Sequence, residues 1–163
     1  MKILKYITIL VILFISLALS LNQKSKIKLR YTILPIENSE KVFSQCSRGT
    51  PKYAKIIVVG DSINTKAIEY LIEKRDTIIG LVNIKIENYT YQLTSFKHKL
   101  KNFIYINANI TNEEMENKLS WKQFPIIWCD GNSSSWGAVY DIKKNVIIDF
   151  QTNGPLVSMI EKI

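Results

Sequence analysis

The residues of this 163-residue chain that could carry chemistry are few. Cys46 and Cys129 are its only cysteines, and His98 is its only histidine. Three such ligands cannot complete a four-ligand zinc site of the Cys/His kind, and no metal and no cofactor is expected. A thiol or hydroxyl nucleophile needs a general base beside it and a third group to orient that base. The single imidazole, His98, lies in the basic stretch Lys97-His98-Lys99-Leu100-Lys101. The hydroxyl best placed in sequence is Ser62, within Gly60-Asp61-Ser62-Ile63. Asp130 and Asp141 could pair as acid and base or hold a calcium ion. Asp is also a common turn residue, because its carboxylate bonds nearby backbone N–H groups. For the cysteines, the choice between a bridge and a reactive thiol turns on the compartment.

The first 21 residues bear on that choice. Lys2 and Lys5 form a short basic start, and Tyr6 to Leu21 is uncharged and almost all aliphatic or aromatic. A secretory signal has this layout, with Ala18 and Ser20 as a small-x-small cleavage pattern. The alternative is an uncleaved anchor helix. Either way, residues 1–21 are expected to send the rest of the chain out of the cytoplasm, to the periplasm or beyond. Membrane contact is expected only through residues 6–21, and only if they are retained. In an oxidising compartment an even cysteine count favours a disulfide, so Cys46 is expected to bridge Cys129.

Composition narrows the function classes. The chain carries 22 Lys+Arg against 14 Asp+Glu, a net charge of +8, and 47% of its residues are apolar. That is enough apolar material for one core, and the chain is neither disordered nor collagen-like. Removing residues 1–21 takes out Lys2 and Lys5 and leaves a net charge of +6. A positive exported domain is drawn to anionic envelope polymers and surfaces. A Lys/Ile/Asn-rich sequence of this kind is also what an AT-rich genome produces. No Arg-rich stripe or nucleic-acid motif is present, and no nucleic acid is expected as partner.

The organisation reads as a signal or anchor over 1–21, a polar linker over 22–26, and one domain over 27–163. Alternation over Ile27 to Ile33 predicts a half-buried strand. Asn38-Ser39-Glu40 predicts the cap of a short helix carrying Val42, Phe43 and Cys46. Asp61 to Lys74 predicts an amphipathic helix, capped by Asp61 or Asn64, with Ala67, Ile68, Leu71 and Ile72 on one face. Thr77 to Leu93 reads as mostly strand and pairs with Phe103 to Ile106 across a turn at Lys97–Asn102. The apolar run Phe124 to Cys129 predicts a buried strand. Trp136 to Tyr140 and Val146 to Phe150 predict a second hairpin. The sum is an α+β fold: an antiparallel sheet of about four to six strands with two helices on one face. The C-terminal aromatics are expected in the core, with Trp121 and Trp136 the most exposed of them.

Ile56-Ile57-Val58-Val59-Gly60-Asp61-Ser62-Ile63 resembles the first block of the GDSL-type (SGNH) hydrolases. That resemblance implies a buried strand delivering Ser62 as nucleophile. The family also has an Asp-x-x-His pair near its C-terminus and a Gly-x-Asn-Asp block, and this chain has neither. With Ser95 three places before His98, the isolated block is read as coincidental: Gly60 ends a strand and Asp61 caps a helix.

A longer set of blocks runs from Gln45-Cys46-Ser47-Arg48 and Pro51 through Tyr105-Ile106-Asn107-Ala108, Trp121 and Pro125. It continues with Cys129-Asp130-Gly131, Trp136-Gly137, Tyr140-Asp141 and Asn153-Gly154. It resembles an uncharacterised group of small exported bacterial proteins. The resemblance implies one compact domain with its two Cys blocks bridged, and it implies no activity. This chain departs from the pattern at Asn132, where a second Gly is usual, and continues past Gly154. The expected function is a non-enzymatic binding module for an envelope protein or polymer, its surface formed by Arg48, Asp130 and Trp136. The alternative is a small serine hydrolase using Ser62 with His98.

Overall fold

The computed structural model describes residues 27–78, 80–81, 84–111, 119–129 and 134–153. The signal or anchor expected over 1–21 and the linker over 22–26 lie outside them. The elements run β1 (Arg30–Ile33), α1 (Ile36–Ser39), β2 (Lys55–Ile56), α2 (Asp61–Lys74), β3 (Tyr89–His98), β4 (Lys101–Ile110), β5 (Ser135–Asp141) and β6 (Val146–Thr152). A 3₁₀ turn at Glu40–Phe43 extends α1, and others lie at Arg75–Thr77, Ile86–Asn88 and Leu119–Lys122.

The fold is α+β, built on one sheet ordered β1-β3-β4-β5-β6, with β2 also on β3. The sheet is mixed. From β3 to β6 every neighbour is antiparallel, as the hairpin pattern predicts, but β1 runs parallel to β3 with Arg30 opposite Thr90. Hairpin reasoning speaks only for strands adjacent in sequence, and this pair is 60 places apart. Both β1 and β2 must share the edge of β3 that β4 leaves open, β1 at residues 90–93 and β2 at 96–97.

The central hairpin is longer than the sequence suggests. β3 and β4 are ten residues each, and only Lys99 and Leu100 separate them. Lys99 takes φ +52°, the left-handed value that tight hairpin loops demand. The stretch before β3 is a 3₁₀ turn rather than strand, and Tyr91 donates its hydroxyl to the Ile86 carbonyl there.

Strand alternation gives the sheet two different faces. On one, Leu93, Ile104, Ile106, Trp136 and Ala138 pack beneath Ala67, Ile68 and Leu71 of α2. On the other, Phe96, Phe103, Tyr105 and Val139 pack against Leu34, just after β1, and against Val42 and Phe43 of the 3₁₀ extension of α1. The helical segments therefore cover opposite faces, not one. Helix α2 has the predicted bounds, but its N-cap is Gly60 and Asp61 is its first residue. The run Phe124 to Cys129 is not a strand. It crosses the sheet as irregular chain, with Phe124 50% and Ile127 42% exposed.

Candidate functional site

The rest of the second face is polar and yet buried: Gln92, Thr94, Asn107, Asn109 and Ser135 all lie within it. Gln92 and Asn107 are register partners on β3 and β4, and Asn109 and Ser135 are partners on β4 and β5. Two irregular segments, residues 44–51 and 121–129, lie over this patch. Irregular chain has no ladder to satisfy its backbone N–H and C=O groups, so buried chain of this kind needs side-chain partners. The polar ladder supplies them. Gln92 Nε2 donates to the carbonyls of Trp121 and Phe124, and its Oε1 accepts the Ile126 N–H at 2.7 Å. Asn107 Nδ2 donates to Gln92 Oε1 at 2.9 Å and to the Ile126 carbonyl at 3.0 Å.

The centre of the patch is Arg48, 2% exposed. Its Nε donates to the Tyr105 hydroxyl at 3.0 Å and its Nη1 to Ser135 Oγ at 2.7 Å. Nη1 also donates to Asn153 Oδ1, and Nη2 to Asn107 Oδ1. A planar guanidinium presents five donors in a fixed fork, so one residue can tie its own loop to β4, to β5 and to Asn153 just past β6. Asn153 passes the tie on, donating Nδ2 to the Trp128 carbonyl at 3.1 Å. Burial pushes the Tyr105 hydroxyl above its usual range, while the charge and hydrogen bond of Arg48 pull it back.

Gly137 makes room for this geometry. A Cβ there would lie 2.5 Å from the Tyr105 hydroxyl and 2.9 Å from its ring. The ring therefore lies flat across β5, which brings its hydroxyl to Arg48.

The two covering segments are joined covalently. Cys46 and Cys129 form a disulfide, 83 residues apart in sequence with Cα atoms 4.9 Å apart. Beside the bridge, Gln45 Nε2 donates to the Val42 and Ile126 carbonyls, and the Gly49 N–H donates to Gln151 Oε1.

The other expected site residues fall as follows. Trp136 is not at the surface: it is 0% exposed, on the α2 face, with its ring 5.2 Å from Phe150 and 5.7 Å from Tyr91. Arg48 is likewise interior, so neither side chain offers a surface to a partner in this structure. Asp130 lies outside the described residues. Asp141 is buried and accepts the backbone N–H groups of Lys143 and Lys144 at 3.0 Å, a turn role. Ser62 is exposed in the first turn of α2, while His98 ends β3 at the hairpin tip, and no hydrogen bond joins them among the described residues. The strand before Ser62 is only Lys55–Ile56 at a sheet edge, and Val58 is 80% exposed. This departs from the buried delivering strand that the hydrolase block implies. Among the described residues no three His, Cys, Asp or Glu side chains cluster as a metal site.

Residue reasoning missed Gln92, Asn107, Ser135 and Asn153 as partners of the site. For Asn107 and Asn153 the signal was the set of short blocks: Gln45, Cys46, Arg48, Tyr105, Asn107, Cys129 and Asn153 come from four blocks and converge on this one patch, whereas Gln92 and Ser135 lie in none of them. Compared with family models, curated proteins and solved structures, the chain has no match in any of the three.

Proposed function

We propose that the chain is an exported envelope protein that works by binding rather than catalysis, of the kind its sequence blocks resemble. The observation that carries this reading is the Cys46–Cys129 bridge, which suits an oxidising compartment. The binding surface is the outer side of the bridged loops, where Phe124 and Ile127 stand out into solvent. Their backbone neighbours are fixed from below by Gln92 and Asn107, so the apolar side chains are presented on a rigid support. Arg48 acts as a positioning residue beneath that surface, not as a contact, while Trp136 belongs to the core on the opposite, α2 side of the sheet.

The test is retention by envelope fractions. Wild-type protein is expected to be retained, and Phe124→Ser/Ile127→Ser is expected to lose most of that retention while keeping its unfolding midpoint. Equal retention of wild type and variant refutes the surface. A fluorophosphonate probe tests the rival hydrolase: labelling that Ser62→Ala abolishes would replace the binding reading with an enzymatic one. N-terminal sequencing of the exported protein decides whether residues 1–21 are removed.

A further inference from the structure

One end of the sheet is a surface of another kind. The β3–β4 loop projects Leu100, 93% exposed, between Lys99 and Lys101. Lys97 stands opposite Lys55 of β2 in the register, so two like charges face each other across neighbouring strands. The β5–β6 turn lies at the same end. Phe103 pairs with Asp141, and the Ile142 N–H donates to the Asn102 carbonyl, which sets Lys143 and Lys144 beside the first tip. The carboxylate of this turn, Asp141, is buried and directed at backbone N–H groups rather than outward.

Like charges opposed across strands are unfavourable for folding alone, and so is a large apolar side chain held fully in water at a loop tip. Together they fit a partner that is both negatively charged and apolar within a few ångströms of its surface. We propose that this end of the sheet docks on an anionic phospholipid surface. The lysines rest among the head groups, and Leu100 enters the acyl boundary. A soluble polyanion satisfies the charges but gives Leu100 nothing. The proposal goes beyond the bridged-loop reading and depends on that reading only for its setting outside the cytoplasm, not for its test.

The experiment is hydrogen exchange on the full chain, read peptide by peptide, so that any membrane contact through residues 6–21 does not obscure the tips. The probes are phosphatidylcholine vesicles with and without phosphatidylglycerol. They are used at an ionic strength of about 0.1 M, where the screening length is roughly 10 Å. Amides of residues 98–101 and 142–145 are expected to slow several-fold with phosphatidylglycerol vesicles and not with phosphatidylcholine alone. Each lysine near an anionic leaflet contributes roughly fivefold in partitioning, so Lys101→Glu/Lys143→Glu should weaken partitioning by at least about 25-fold and remove the slowing. Lys28→Glu/Lys85→Glu changes the net charge equally at the far end of β3 and should leave it intact. Leu100→Ser should weaken it by roughly tenfold through lost apolar burial.

Four results with the vesicles overturn the proposal. They are no protection at the tips, equal protection by both vesicle types, equal loss from the two charge-reversed pairs, and an unchanged Leu100→Ser. Protection by a soluble polyphosphate without protection by vesicles overturns it as well. Loss of export or of the bridged-loop surface would leave these outcomes unaffected, so the two readings fail separately.

Discussion

Replacing Arg48 by methionine keeps most of the side chain's length and removes its donors. Four hydrogen bonds go with them, to Tyr105, Ser135, Asn107 and Asn153. The two hydroxyls can rotate towards other acceptors; Ser135 already reaches Asn109 Oδ1 at 2.8 Å. The amide oxygens of Asn107 and Asn153 cannot, because their Nδ2 atoms are engaged with Gln92, Ile126 and Trp128. A buried acceptor left unmade costs about 1–3 kcal/mol, so two stranded oxygens put the loss at about 3–5 kcal/mol. That is a large part of the roughly 5–15 kcal/mol that holds a domain folded. Urea unfolding of the oxidised protein, followed by tryptophan fluorescence, measures it. With a slope of about 1–3 kcal/mol per molar, the midpoint should fall by roughly 2 M. Arg48→Lys, with three donors on one nitrogen, should recover only part of the loss. The double variant Arg48→Met/Asn107→Leu should be less damaging than the sum of its parts, with a coupling on the order of 1–3 kcal/mol. A loss below about 1 kcal/mol, well under the cost of even one stranded acceptor pair, would refute the structural role given to Arg48.

Three further outcomes follow from the same geometry. Cys46→Ala/Cys129→Ala opens a loop of 83 residues and should cost about 4–5 kcal/mol on the chain-entropy account, seen as a lower urea midpoint; an unchanged midpoint would mean the side-chain ties alone hold the cover. Gly137→Ala drives a methyl group into the Tyr105 ring and should cost about 1–3 kcal/mol, relieved in part by Tyr105→Leu. Burial pushes the hydroxyls of Tyr91 and Tyr105 above the ordinary phenol range. Stability should therefore be level below pH of about 10 and fall as pH rises beyond it, because the unfolded phenols release protons that the folded ones keep. A urea midpoint that holds or rises above that pH would contradict the burial argument.

How far the fold was legible depends on whether its cause was local. Helix α2 was readable to its ends, because Ala67, Ile68 and Leu71 recur at helical spacing and Gly60 precedes them. The β5–β6 hairpin was readable for the same kind of reason: two apolar runs flank the polar turn at Lys143, Lys144 and Asn145. The second face was not. Gln92, Thr94, Asn107 and Asn109 alternate with apolar neighbours, and period-two alternation ordinarily means that the polar side faces water. Here it faces chain from residues 44–51 and 121–129, brought over it by contacts spanning 19 to 105 positions in sequence. The same cover explains the misread run Phe124 to Cys129, whose apolar composition suggested a strand although, past the Phe124 N–H, its backbone bonds go to side chains. Trp136 flanks a turn in sequence, yet strand alternation turns its ring under α2.

The α2 side of the sheet and the polar part of its other side are fastened by different forces, and different insults should find them. Beneath α2 the packing is almost wholly apolar, and apolar burial weakens on cooling. Over Gln92, Asn107 and Arg48 the fastening is directional and closed by a covalent bond between sulfurs. Chilling should loosen the α2 layer first and leave the cover in place. A thiol reductant should do the reverse, freeing the loops while the sheet and α2 stay together. The domain thus carries a built-in seam along its sheet, with each half sensitive to a stress that the other tolerates.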